Sequence, residues 1–255
     1  MDSGRIAGLR REDLSLAATL RSGQVFRWTP GEDGSWTGTI RERRARLRQA
    51  GDGALEWAAD GPNGESLIRD FLRLDDVDLP ALAEEWRRRD ACFAAAWARQ
   101  PGVRVLRQDP PECFFSFLCA SVAPIARISR MLRAVAERYG ESVGGLDGVP
   151  LWKFPSAKRL AGADEAALRE LGLGFRARRV VDAARIVAEL PEGWPGDLRG
   201  RPAACSKREL LRFFGVGEKI ADCVALFSLD VDDAIPVDTH IWRIARARYA
   251  PDLAG

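Results

Sequence analysis

Residues 213–249, FFGVGEKIADCVALFSLDVDDAIPVDTHIWRIARARY, constrain this chain more than any other stretch. An apolar-periodic segment, 206–214, runs into Gly215-Val216-Gly217. A second, with Ile220, Val224 and Phe227 at helical spacing, follows directly and extends to Leu229. Glycines at this junction reach backbone angles closed to residues with a Cβ. The arrangement predicts helix, glycine hairpin, helix, with free N–H groups at the positive end of the second helix. Such an end suits a phosphate. A bare Gly-x-Gly also makes an ordinary helix–helix turn, so the hairpin gains meaning only from its neighbours.

Two side chains supply that meaning. Lys219 falls in the first turn of the second helix, where the helix dipole opposes an ammonium. The neutral amine is the form that attacks carbon. Of the 39 basic residues only Lys153, Lys158, Lys207 and Lys219 are lysines. Arginine stays protonated and cannot replace an amine nucleophile. Asp238 follows a strand-like run, 234–237, and precedes a helical segment, 239–248. It reads as an N-cap, and capping explains it fully. A carboxylate fixed by helix-end amides can also stabilise positive charge developing on a sugar. His240, the only histidine, lies in the same first turn, where it either meets a phosphate or packs.

GVGEKIADC followed by IPVDTHIW resembles the helix-hairpin-helix/GPD superfamily of DNA glycosylases, and within it the 8-oxoguanine DNA glycosylase/AP lyase branch. SGQVFRW (22–28), LRQDPPECFFSFLCAS (106–121), IARI (125–128) and LGLGFRARRV (171–180) carry the resemblance across about residues 14–249. It implies an α+β fold: an N-terminal antiparallel β-sheet domain, TBP-like with flanking helices, in residues 1–108, then a helical helix-hairpin-helix/GPD catalytic domain in 109–255. The implied activity is excision of an oxidised purine from duplex DNA through a lysine Schiff base, followed by strand cleavage. The implied partner is double-stranded DNA containing a damaged base, met by a monomer that needs no metal or organic cofactor. No apolar run is long enough to span a membrane, and five scattered cysteines without a disulfide framework fit a reduced, cytoplasmic compartment. Other damaged-base specificities on this scaffold, or a non-catalytic DNA-binding module, are the alternatives. Gly23 within SGQVFRW argues against the first, and Lys219 together with Asp238 argues against the second.

The resemblance assigns roles to single residues. Lys219 is the nucleophile and Asp238 its assisting carboxylate. The Gly23 carbonyl accepts from N7–H of 8-oxoguanine, which guanine lacks. Cys223, four residues after Lys219, walls the base pocket; a free cysteine is also an ordinary small core residue. Phe175 is an intercalating aromatic, Arg176 and Arg127 contact the orphaned cytosine, and Gly215, Val216, Gly217 and His240 meet the DNA backbone. Two departures stand out. The family's asparagine run before IAR is here Val122-Ala123-Pro124, which weakens reading of the opposite base. The family also continues into a C-terminal helix that closes the base pocket, so a chain stopping at Gly255 reads as a fragment.

Local patterns agree with this layout. Residues 25–29, 35–40, 44–49 and 54–58 read as short strands between GEDG and GDG turns. From Glu65 the period becomes helical. Asp109 caps a helix opening on Pro110-Pro111, and residues 124–138 and 175–190 are amphipathic, the first ending at Gly140. Net charge is only +2, so bulk charge does not announce a nucleic-acid binder. Arg41, Arg43, Arg44, Arg46 and Arg48 read as a solvated face balanced by acids. Cys92, Cys113, Cys119, Cys205 and Cys223 show neither disulfide nor zinc spacing. No cysteine follows Cys223, so none of the iron–sulfur clusters of some superfamily members is expected.

Overall fold

The computed structural model describes residues 1–250; the expectation about Gly255 lies outside the described residues. Strands β1 (Asp2–Ile6), β2 (Thr29–Pro30), β3 (Ser35–Ile40), β4 (Arg43–Gln49) and β5 (Leu55–Ala59) form one antiparallel sheet in the order β1-β5-β4-β3-β2. Pairing sets Trp36 opposite Leu47 and Leu47 opposite Trp57. One face is thereby apolar, and helices α1 (Leu16–Arg21) and α2 (Gly64–Leu72) cover it through Leu16, Leu20, Ile68, Phe71 and Leu72. Helices α3 (Leu79–Arg89) and α4 (Ala91–Arg99) follow, each capped by an aspartate, Asp78 and Asp90. Edge strand β1 was absent from the sequence reading because DSGRI lacks apolar alternation.

The second core is helical. Asp109 caps α5 (Pro110–Cys119), and Cys113 through Cys119 are all buried. A helix apolar on every side belongs at the centre of a bundle. Around it stand α6 (Ile125–Tyr139), α7 (Ala157–Ala161), α8 (Glu165–Leu168), α9 (Arg176–Ala188), α10 (Ala203–Leu211) and α11 (Glu218–Ser228). Phe114 meets Trp194 and Phe213 edge-on at 5.0 Å each, tying α5 to the hairpin after α10. Helix α12 (Thr239–Arg248) completes the described chain. Among the described residues no helix is long and apolar enough to cross a membrane.

Three expectations need correction. Residues 25–28 form no strand, and only Thr29–Pro30 pairs with β3. Phe26 enters the helical core against Phe117, while Trp28 enters the sheet core stacked on Phe71. The alternation therefore comes from an extended connector between two cores. Residues 234–237 are also unpaired irregular chain rather than a strand. The helix read at 206–214 is displaced to Ala203–Leu211.

The segment after residue 109 also holds a β-hairpin, β6 (Ser142–Leu146) and β7 (Val149–Trp152), which the sequence reading missed. Arg44 donates to the Gly145 carbonyl at 3.0 Å and Arg46 meets Asp147 at 2.8 Å, docking the hairpin on the sheet. The early arginine cluster is otherwise spent locally, Arg41 on Asp70, Arg44 on Asp60 and Arg48 on Glu56, as the solvated reading expects.

Candidate active site

Gly215 alone carries the strain of the hairpin. Its φ is +89°, and a Cβ there would lie 2.5 Å from Arg179 Cδ. Gly217 has extended backbone, φ −100°, and open space around its Cα. Any residue adopts that conformation, so the expectation that both glycines serve backbone strain holds for Gly215 only. Val216 sends its side chain into the core and donates its N–H to the Phe213 carbonyl at 3.0 Å. Its side chain is thus unavailable to DNA, and only the main chain around it can meet a phosphate. Gly217 is the N-cap of α11 and offers no side-chain acceptor to the helix start.

Lys219 is the second residue of α11 and is half-buried. Its Nζ lies 5.3 Å from the centre of the Phe117 ring. Lys153 pairs with Glu141 at 3.1 Å and Lys207 with Glu218 at 2.6 Å; among the described residues no carboxylate pairs with Lys219. One turn on, Cys223 is 3% exposed. Burial pushes its thiol up to about 11, against the charge and hydrogen bond of Lys219. The thiol thus stays protonated and backs the lysine from the core side, not among the cavity's lining groups.

Asp238 is the N-cap of α12, with Oδ1 accepting from the N–H of Ile241 at 2.8 Å and of His240 at 2.9 Å. The Ile241 amide first, then the His240 amide and the charges of His240 and Lys219, hold its carboxyl below the usual value. Lys219 and Asp238 open on one cavity of about 1050 Å³, shared with Gly23, Ser121, Val122, His240 and Arg243. Gly23 has φ +87°, and Ile125 Cδ1 stands 3.2 Å from where its Cβ would be. Buried Gln24 fixes this loop: its amide donates to the Arg104 carbonyl at 2.8 Å and accepts from Leu106 N–H at 2.9 Å. Arg104 is in turn buried, donating to the carbonyls of Asp13, Leu72, Arg73 and Val77. Neither residue has a role in the sequence reading: Gln24 lies within SGQVFRW, where only Gly23 is assigned one, and Arg104 lies outside every quoted motif.

Phe175 is 51% exposed just before α9. Arg127 is exposed on α6 and reaches toward the Gly172 carbonyl at 3.5 Å. Arg176 departs from its expected place. It is 2% exposed, and its guanidinium donates to the carbonyls of Ser121, Val122 and Leu173. Burial, then the charges of Arg127 and Arg179, push it below its ordinary value. In this structure Arg176 braces the 121–122 loop and is not presented to an orphaned base. The braced loop displays Val122, 92% exposed and at φ +51°, an unusual conformation for a β-branched residue.

Comparison with known proteins agrees with this architecture. Residues 7–114 match the profile described as 8-oxoguanine DNA glycosylase, N-terminal domain, and residues 115–252 match HhH-GPD superfamily base excision DNA repair protein. The chain is 37% identical to the N-glycosylase/DNA lyase OGG1 of Arabidopsis thaliana, over 97% of this chain and 69% of that protein. It is 33% identical to the N-glycosylase/DNA lyase of Saccharomyces cerevisiae, over 96% of this chain and 71% of that protein. The 8-oxoguanine glycosylase/lyase of Clostridium acetobutylicum, solved with dsDNA containing cytosine opposite to 8-oxoG, superposes with a TM-score of 0.86 at 26% identity, covering 95% of this chain and 83% of its own. Fold and site therefore define a helix-hairpin-helix/GPD protein of base excision repair. The chain belongs to the 8-oxoguanine DNA glycosylase family.

Proposed function

We propose that this protein is a bifunctional DNA glycosylase/AP lyase that removes 8-oxoguanine from duplex DNA through Lys219. The observation carrying this reading is that Lys219 and the amide-fixed carboxylate of Asp238 open on one cavity with Gly23, beside a helix N-terminus suited to phosphate. The Lys219 amine attacks C1′ of an extruded nucleotide. The N-glycosidic bond breaks, the base takes the electron pair, and a proton from the attacking amine completes it. Ring opening leaves an iminium at C1′. Loss of a C2′ proton then drives out the 3′ phosphate and cleaves the strand. The Asp238 carboxylate offsets the positive charge on the sugar throughout. The residues in these steps are the chain's own, and no metal or organic cofactor takes part.

The Gly23 carbonyl selects the base by accepting from N7–H, with Cys223 behind the nucleophile. Phe175 fills the stack from which the base has left. Arg127 reads the opposite cytosine, while the backbone of Gly215, Val216 and Gly217 and the side chain of His240 hold phosphate. Arg176 serves this interface through the loop it braces. Residues 1–108 and 109–255 act as the two domains of a monomer working in the cytoplasm. The Clostridium protein's complex with 8-oxoG opposite cytosine supports the substrate assignment.

Borohydride trapping on an 8-oxoguanine·cytosine duplex tests the reading. The native chain should form a covalent adduct and nick the strand. Lys219→Gln should lose both while still binding the duplex, because a neutral amide keeps the shape and cannot form a Schiff base. An adduct undiminished in Lys219→Gln would place the nucleophile elsewhere.

A further inference from the structure

Arg179 lies one turn inside α9, and among the described residues no carboxylate pairs with it, whereas Arg178 and Arg185 on the same helix both meet Asp182. It is instead held between two exposed aromatic rings. Its guanidinium carbon lies 5.0 Å from the centre of the Phe175 ring and 5.8 Å from that of Phe214. Phe175 precedes α9, and Phe214, 67% exposed, opens the hairpin before α11. The two rings thus belong to separate elements, and Arg179 is the side chain between them. Its stem also rests on Gly215, at a distance no Cβ would permit. Phe175 is flanked on the α9 side by Arg176, 4.4 Å from its ring.

Two exposed aromatics beside a phosphate-binding hairpin, bridged by an unpaired guanidinium, have no role in the core. A guanidinium stacks on aromatic faces while its N–H edge stays free for an anionic oxygen. We propose that Arg179 is a positioning residue for base extrusion. It joins Phe175 and Phe214 into one rigid face, so that the ring entering the stack arrives in register with the hairpin gripping the phosphate. This rests on the wedge role given to Phe175 above.

The test uses the full chain with Arg179→Met, which keeps most of the stem on Gly215 and removes the stacked cation, and Arg179→Lys, which keeps charge without a planar group. Extrusion is followed by the fluorescence of 2-aminopurine placed next to the lesion. Excision is measured under single turnover, and chemistry alone by borohydride trapping on a duplex holding a ready-made abasic site. Two exposed cation–π contacts predict about a tenfold slower extrusion and excision in Arg179→Met. Arg179→Lys should recover only part of it, and trapping at the abasic site should stay within twofold on the order expected for an untouched nucleophile. Phe175→Ala should be slow, and adding Arg179→Met to it should slow it little further, because both act through one ring. Excision at the native rate in Arg179→Met with a slow Phe175→Ala overturns the proposal but leaves the wedge standing. A native rate in Phe175→Ala overturns the wedge itself. Equal losses in trapping, excision and thermal stability would make Arg179 a packing residue and overturn the proposal.

Discussion

Asp238 accepts two N–H groups at the start of α12 and interacts with the charge of Lys219. Asparagine caps helices as well as aspartate, so Asp238→Asn should leave the melting temperature nearly unchanged. Losing the carboxylate charge should lower single-turnover excision by about 10²–10³-fold, the scale of one preorganised electrostatic contact. A fall in melting temperature with undiminished excision per folded molecule would make Asp238 a cap and nothing more. The helix-start positions of Asp238 and Lys219 are legible in the sequence, because local pattern fixes where a helix begins. Arg176 was misread for the converse reason. Its burial depends on carbonyls about fifty residues away at Ser121 and Val122, and no local pattern reports them.

Elements that sequence periodicity recovered mostly pack on one core: β3, β4, α5, α6 and α9 agree with expectation to within a residue or two. Helix α12 also agrees, although it buries no residue, because Asp238 marks its start. The failures lie where a segment serves two cores or none, as in residues 25–28 and 234–237. The β6–β7 hairpin, with two glycines and a proline among its strands, carries almost no β signal of its own. Arg27 joins these pieces. Buried, it meets both carboxylate oxygens of Glu112 on α5 at 2.7 Å, the Trp152 carbonyl of β7 at 2.8 Å and Thr39 of β3 at 2.9 Å. Glu112→Ala leaves that guanidinium without its counter-charge and should destabilise by about 3 kcal/mol. Asp147→Ala removes an exposed pair at the hairpin tip and should cost at most about 1 kcal/mol. Urea unfolding midpoints rank the two, and equal midpoints would show that Arg27 is not a junction.

At the scale of the molecule, the two cores meet around a small cavity lined by Phe26, Trp28, Phe71 and Asp109. Burial, aided by the charge of Glu112, raises the Asp109 carboxyl to about 6. The folded chain holds this proton more tightly than the unfolded chain does. The resulting stability is fully present below the ordinary carboxyl value and is lost as pH rises through about 6. Relative to Asp109→Asn, which caps without titrating, the native chain should lose up to about 3 kcal/mol between pH 4 and pH 7. Denaturation curves across that range check it, and parallel curves would place Asp109 in water. A clasp of Arg73 and Arg107 on Asp230 and Asp232 closes the same seam beyond α11. The hairpin that docks on the sheet has a consequence for how the chain is made. The sheet's strands leave the ribosome about a hundred residues before Asp147 does, a lag of roughly 5–20 s at ordinary synthesis rates. Throughout that interval the nascent sheet carries Arg46 without Asp147 and Arg27 without the Trp152 carbonyl, and for its first part Arg27 also lacks Glu112. The first half of this protein therefore matures only when the second half reaches back to it.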